Sequence, residues 1–315
     1  MKKNKYFSML LLFLAAFFWG FAFTAQDLVA DIPPITVGMV RWFIGAFFLL
    51  FVIMISDKVT KSERKLVSKR GLDFTKTEIR AGVWLGIIIS VASIFQQMGI
   101  NQGTSGGKAA FITALYVVLV PIYALFLKKH VKAHVWVAVF VAVIGFYLLC
   151  IKEGEGIVPS DFWVILSAMI YPIHILTIDH FAPKCDCIRM SCLQFFFAFI
   201  INGVLAFCLE SPVDFVAIGT HILPFLYLGV FSSGIAYTLQ IVGQRNINPT
   251  VASLILSLES VFGLLGGMVI LGDKLEIKEY IGAGLIFLAV IISQVEFKKK
   301  NRVECFGLLR TVFKN

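Results

Sequence analysis

Charge is scarce in this chain. Asp, Glu, Lys and Arg together make up 15% of 315 residues, too little polar cover for a water-soluble domain of this size, and the mean hydropathy of +0.89 points the same way. The acids are scattered as well as few. No HExxH, P-loop or Asp-rich cluster occurs, so the grouped side chains that metal-assisted hydrolysis or phosphoryl transfer requires are missing. Neither enzyme activity nor a metal or cofactor is therefore expected. The six cysteines (Cys150, Cys185, Cys187, Cys192, Cys208 and Cys305) lack zinc-type spacing, and Cys185-x-Cys187 falls where thiols are expected to stay reduced.

What fills the chain instead is a series of apolar stretches long enough to cross a bilayer. They are predicted at about 7–26, 35–56, 81–100, 108–127, 135–151, 162–179, 191–209, 222–242, 251–271 and 281–297. The net charge of +9 does not form one basic face, so no nucleic-acid partner is expected. The cations fall instead into every second gap. Twenty-three of the 28 Lys and Arg lie on the side of both termini, three (Lys152, Lys274 and Lys278) lie on the other, and Arg41 and Lys108 sit inside or at the edge of spans. By the positive-inside rule this predicts a multi-pass protein of the cytoplasmic membrane with both termini cytoplasmic. Met1–Trp19 resembles a signal peptide in its lysines and apolar run, but no small-x-small cleavage site follows, and a retained first helix is expected.

The spans divide five and five. Ala16, Trp19 and Asp27 recur as Ala168, Tyr171 and Asp179 at one constant spacing, and Gln97 and Ala109 recur as Gln240 and Ala252 at another. Because five is odd, a second copy enters the membrane from the opposite face. The fold class expected is thus an all-α membrane protein of ten transmembrane helices in two inverted five-helix repeats, 1–151 and 152–300, with a tail at 301–315. The pairs Gly263/Gly267, Gly282/Gly284 and Gly99/Gly103 are expected at close helix contacts. The basic loop 57–80 and the tail are either solvated or in contact with anionic lipid.

Function is then sought in polar residues at membrane depth. Glu259 lies near the middle of span nine, where a carboxylate must face protein, water or a ligand; it is a candidate for proton coupling, or a stitch between helices. Span eight offers Ser233, Tyr237, Gln240 and Gln244 along one helical stripe, span three offers Gln96 and Gln97, and span four offers Thr113, Tyr116 and Tyr123 on one face. Trp19 and Tyr171 occupy matching places, with His174 one turn on; they suit an aromatic wall, and His174 a proton relay. Trp19, Gln97, Tyr116, Tyr171, His174, Tyr237, Gln240 and Glu259 are the candidate substrate-binding set, with Glu259 and His174 the proton-coupling candidates. Packing and interhelical hydrogen bonds are the plainer role for each of them. Arg41 is expected to pair with Asp27 or Asp31, or else to attract a substrate carboxylate, and Lys108 to snorkel.

Several motifs taken in order resemble the EamA domains of the drug/metabolite transporter superfamily. They are Trp19-Gly20, Lys108-Ala109-Ala110-Phe111-Ile112-Thr113 through Leu119-Val120-Pro121, Ser257-Leu258-Glu259-Ser260-Val261-Phe262-Gly263, Leu271-Gly272-Asp273-Lys274-Leu275 and Ile281-Gly282-Ala283-Gly284. The chain departs from that pattern at Ser260, where proline usually follows the glutamate, at Gly272-Asp273 in place of Gly-Glu, and at Lys128-Lys129-His130. The resemblance implies a secondary transporter, with export favoured; the inverted repeats point to alternating access, and the mix of amides, phenols and one carboxylate suits a small organic metabolite such as an amino acid. Its partners would be that metabolite and the lipid bilayer, with a homodimer compatible. The alternatives are a passive channel or uncoupled exchanger and, further off, an intramembrane enzyme acting on lipid-linked substrates.

Overall fold

The computed structural model describes residues 2–59, 72–150, 158–272 and 276–294. The loop segment 60–71, the tail and Asp273–Leu275, on which parts of the charge and motif argument rest, lie outside the described residues. Ten helices within it run the length of the bundle: α1 Lys2–Asp27, α2 Pro34–Val59, α3 Lys76–Asn101, α4 Gly106–Phe126 and α5 Ala133–Cys150, then α6 Asp161–Phe181, α7 Cys187–Leu209, α8 Ile222–Gln244, α9 Pro249–Ile270 and α10 Ile277–Gln294. Nine are long and apolar enough to cross a membrane. The tenth, α5, has 18 residues, about 27 Å at the usual rise per residue. A short helix, Phe215–Thr220, joins α7 to α8.

Polar caps set where these helices begin. Thr75 and Glu78 form a reciprocal capping box at α3, Ser105 caps α4, Asp186 caps α7, and Asn248 with Pro249 starts α9. Each cap satisfies backbone N–H groups that would otherwise face lipid or protein unpaired. The outer surface is apolar, with Phe51 62% and Phe140 67% exposed, whereas Gln, Ser and Thr side chains turn inward. This is the inside-out polarity of a bundle whose solvent is lipid.

Repeats α1–α5 and α6–α10 interleave: α3 packs on α6 and α7, α2 on α7, α1 on α9, and α5 on α10. The duplication shows most clearly in two broken helices. In α4 the break is at Leu115 (φ −59°, ψ −14°) and in α9 it ends at Leu258 (φ −60°, ψ −13°). Both close with a tight i→i−3 bond, Leu115 N to Ile112 O and Leu258 N to Ile255 O, each 3.2 Å. Tyr116 and Glu259 therefore occupy matching positions, each the first residue of a second half-helix.

Of the glycine pairs, Gly99 meets Ser160 O at 3.0 Å from where a Cβ would stand, whereas Gly103 (φ +110°) serves a turn and Gly284 has nothing nearby. Lys108 differs from its expected role. Its Nζ lies 2.6 Å from Asp161, which also accepts from Thr104 Oγ1 (2.9 Å) and Val158 N (2.9 Å). The start of α6 brings a buried carboxylate within reach of Lys108, and pairing there outweighs reaching for the surface. Replacing Lys108 by methionine is expected to cost about 1–3 kcal/mol, because Asp161 keeps its two hydrogen bonds but loses its counter-charge. A thermal melt of the purified variant, with Lys108→Arg as the near-neutral control, checks this.

Candidate functional site

A cavity of about 40 Å3 lies at the centre of the bundle, lined from α1, α2, α3, α4, α6, α8 and α9. It brings together Trp19, Tyr116, Tyr171, His174, Tyr237, Gln240 and Glu259. Gln97, the remaining member of the candidate set, is not among its lining; Gln96, one position earlier on α3, takes the place. Gln97 instead accepts from Gln26 Nε2 (3.0 Å) and donates to Asn101 Oδ1 (2.8 Å).

Irregular stretches of helix aim these side chains. Within α8, Tyr227–Tyr237 is a π-helix, which takes more residues per turn than an α-helix and shifts the phase of the polar stripe. Ser232 thus lines the cavity, while Ser233 turns away and donates its hydroxyl back to Leu228 O at 2.7 Å. Gln244 also leaves the stripe and donates to Ile175 O at 3.3 Å. In α4 the break at Leu115 and the proline at 121 separate Tyr123 from the face shared by Thr113 and Tyr116; Tyr123 donates to Met169 O at 3.3 Å.

The aromatic wall exists and is ordered by edge contacts. Trp19 donates its indole N–H to Ser232 O (3.1 Å) and meets Tyr237 at 4.6 Å between ring centroids. His174 lies edge-on to Tyr237 at 5.7 Å, with Nε2 3.1 Å from Gln194 Oε1. Tyr171 donates to Gln96 Oε1 at 3.4 Å, and Gln96 donates to Thr113 Oγ1 at 2.9 Å.

Arg41 departs most from the sequence-based expectation. It pairs with neither acid near the end of α1: Asp27 accepts from Gly106 N at 2.8 Å, and Asp31 lies 3.5 Å from His221. The register of α2 turns Arg41 inward instead. Its guanidinium lies 4.4 Å over the Trp42 ring, Nη2 donates to Ser232 Oγ at 3.1 Å, and the residue lines the central cavity. The ring face and one hydroxyl only partly replace its hydration.

Four polar atoms lining this one cavity make no hydrogen bond of good geometry, namely Arg41 Nε, Tyr116 OH, Gln240 Oε1 and Glu259 Oε1, with the Tyr116 hydroxyl and the Glu259 carboxyl facing each other. A buried polar group left unpaired costs about 1–3 kcal/mol, so these groups call for water or ligand partners within the void. The set includes a cation donor, a carboxylate, a phenol and an amide. It suits a small ligand with both donor and acceptor groups.

Polar and apolar contacts flank the cavity along the bundle. Toward the end opposite the N-terminus, Gln26 bridges Gln96 (3.2 Å) and Gln97, and Asn101 donates to Ile32 O at 2.6 Å. Toward the N-terminal end, Leu12, Val120, Ile175, Ile247 and Ile255 form an apolar plug. A void of about 40 Å3 holds a few waters at most, so anything larger requires the lining helices to move apart.

Sequence reasoning missed Gln26 and Ser232 as lining residues and held the substrate-facing role of Arg41 only as an alternative. The signal for Arg41 was present, since a cation this deep seldom lacks a protein or ligand partner; the signal for Ser232 was not, because a π-helix has no plain compositional mark.

The EamA-like transporter family matches the chain twice, over residues 6–151 and 158–294, so each match spans one set of five helices. An uncharacterized transporter from Archaeoglobus fulgidus is 30% identical over 281 residues, covering 89% of this chain and 83% of that protein. A crystal structure shares the fold with a TM-score of 0.70 at 16% identity, over 91% of this chain and 96% of the other. With ten helices in two inverted repeats and a family match over each, this multi-pass membrane protein belongs to the EamA-like transporter family.

Proposed function

We propose that the chain is a secondary transporter that carries a small organic metabolite, such as an amino acid, through the central cavity by alternating access. The observation that carries this is the set of four polar atoms without a hydrogen bond of good geometry, on Arg41, Tyr116, Gln240 and Glu259, gathered from both repeats around one void. Inverted repeats supply the motion, since exchanging the packing of the two halves opens first one end and then the other. In this scheme the glutamine network and the apolar plug part in alternation.

Each lining group has a role in the scheme. Arg41 holds a carboxylate, Glu259 takes an amine or a proton, and Trp19, Tyr171 and Tyr237 cover the apolar part of the substrate. His174 is a second proton-coupling candidate, and Gln97 acts through the network at one end. A polyanion suits the cavity poorly, because Arg41 is the one cation in its lining. The charge asymmetry of the loops supports a cytoplasmic-membrane location with both termini cytoplasmic, and the family likeness supports export.

Proteoliposomes loaded with a mixture of amino acids and given an imposed pH difference test the scheme. Uphill movement of at least one amino acid is expected; strictly downhill exchange would remove coupling, and no movement of any would remove the substrate class. Arg41→Gln is expected to lower transport of carboxylate-bearing substrates at least about tenfold, a loss of about 1.4 kcal/mol of transition-state stabilisation. Arg41→Lys should restore only part of it, since an ammonium lacks the planar fork.

A further inference from the structure

A second cavity, about 290 Å3, lies at the N-terminal end of the bundle, between the start of α1, the α4–α5 turn, the α8–α9 turn and the end of α10. Its volume is close to that of small-molecule pockets. Among the described residues its charged lining has one sign: Lys132 and Lys5 stand with His130 and His134, and no described Asp or Glu lines it. Thr250, in the first turn of α9, is 1% exposed, and its hydroxyl lines this cavity without a hydrogen-bond partner. The backbone there is already satisfied, because Asn248 Oδ1 accepts from Thr250 N at 3.0 Å. The Thr250 hydroxyl is thus a buried donor left over for something else. Gln294 adds an acceptor, its Oε1 also unpartnered.

We propose that this vestibule is a binding site for inorganic phosphate, separate from the transport cavity. Lys132 supplies charge, Thr250 donates to one oxygen, and Gln294 Oε1 accepts the proton that hydrogenphosphate still carries near neutral pH. That acceptor distinguishes hydrogenphosphate from sulfate, which has no proton to give. Ile247 and Val251 line this vestibule and also pack in the apolar cluster at that end of the central cavity. Bound phosphate would bridge the α4–α5 turn of one repeat to the α8–α9 turn of the other and hold that end shut.

Thermal unfolding of the detergent-purified full chain, followed by tryptophan fluorescence, tests this with sodium phosphate against sodium chloride and sodium sulfate at matched ionic strength and pH. The expected result is a midpoint raised by about 3 °C or more in phosphate, with a smaller rise in sulfate. Thr250→Val and Lys132→Gln should each weaken phosphate binding at least about fivefold, the factor by which losing one hydrogen bond changes a binding constant, with unchanged midpoints in chloride. If Thr250→Val lowers the chloride midpoint, Thr250→Ser takes its place, and it should keep the phosphate response. The proposal is overturned if phosphate gives no rise over chloride, if sulfate equals phosphate, or if the rise survives both variants. A rise with short-chain phosphatidic acid but not with inorganic phosphate would also overturn it and assign the vestibule to a lipid headgroup.

Discussion

Glu259→Gln is expected to lower transport at least about tenfold, equivalent to about 1.4 kcal/mol, and to leave a residual rate that is flat between about pH 5.5 and about pH 8.5. The side chain is 4% exposed, lines the central cavity and has an Oε1 that makes no hydrogen bond of good geometry. Glutamine preserves its volume and one carbonyl oxygen but can neither ionise nor carry a titrating proton. Folding should survive, since among the described residues no ion pair of the Glu259 carboxyl holds α9 in place, and glutamine can still face Tyr116. Proteoliposome flux across that pH range, beside a thermal melt, measures both quantities. Transport equal to that of the unsubstituted protein at every pH would take Glu259 out of the mechanism.

The second large effect is on stability. Gly20 on α1 faces α9 so closely that a Cβ there would stand 2.6 Å from the Phe262 carbonyl carbon and 2.7 Å from Gly263 N. Those are backbone atoms, which cannot swing aside as the end of a side chain can. Gly20→Val is expected to destabilise the bundle by about 3 kcal/mol or more, seen as a sharply lower melting midpoint or loss of folded protein. Gly284→Val is the matched control, because nothing lies within 4 Å of its Cβ position. Equal midpoints for the two variants would mean that α1 and α9 are not held as closely as described. A lesser substitution, Gly20→Ala, should still impair transport, since spreading α1 from α9 moves Trp19 away from Glu259, and both line the cavity.

Much of the site was legible in the sequence because cost is legible. A carboxylate at the depth of Glu259, or two amides in one apolar span, is expensive enough in lipid to announce that something faces it. Trp19 and Tyr171 were found by repeat position, and both line the cavity. Where the reading failed, it failed on phase. Helical periodicity assigns Ser233 and Tyr123 to the polar faces only if 3.6 residues make every turn, and neither α8 nor α4 keeps that pitch. Gln96 and Gln97 are neighbours about 100° apart around α3, and nothing local says which one meets the cavity. Arg41 and Lys108 failed differently, because an ion pair depends on where a distant acid arrives. Lys108 meets Asp161 from the other repeat, and Arg41 meets no acid.

The sequence by itself determined the spans, their number, the alternation of cationic connections and the odd count that forces one repeat to invert the other, since each follows from transfer free energies summed along the chain. It also determined which residue types are too costly to face lipid. Only the tertiary structure decided that Tyr116 and Glu259 begin matching half-helices, that Ser232 and not Ser233 meets the cavity, and that Arg41 lies over Trp42 without a carboxylate partner. These depend on helix phase and on contacts between residues far apart in the chain. Such terms are set by packing of the whole bundle and leave no local trace in composition or hydropathy.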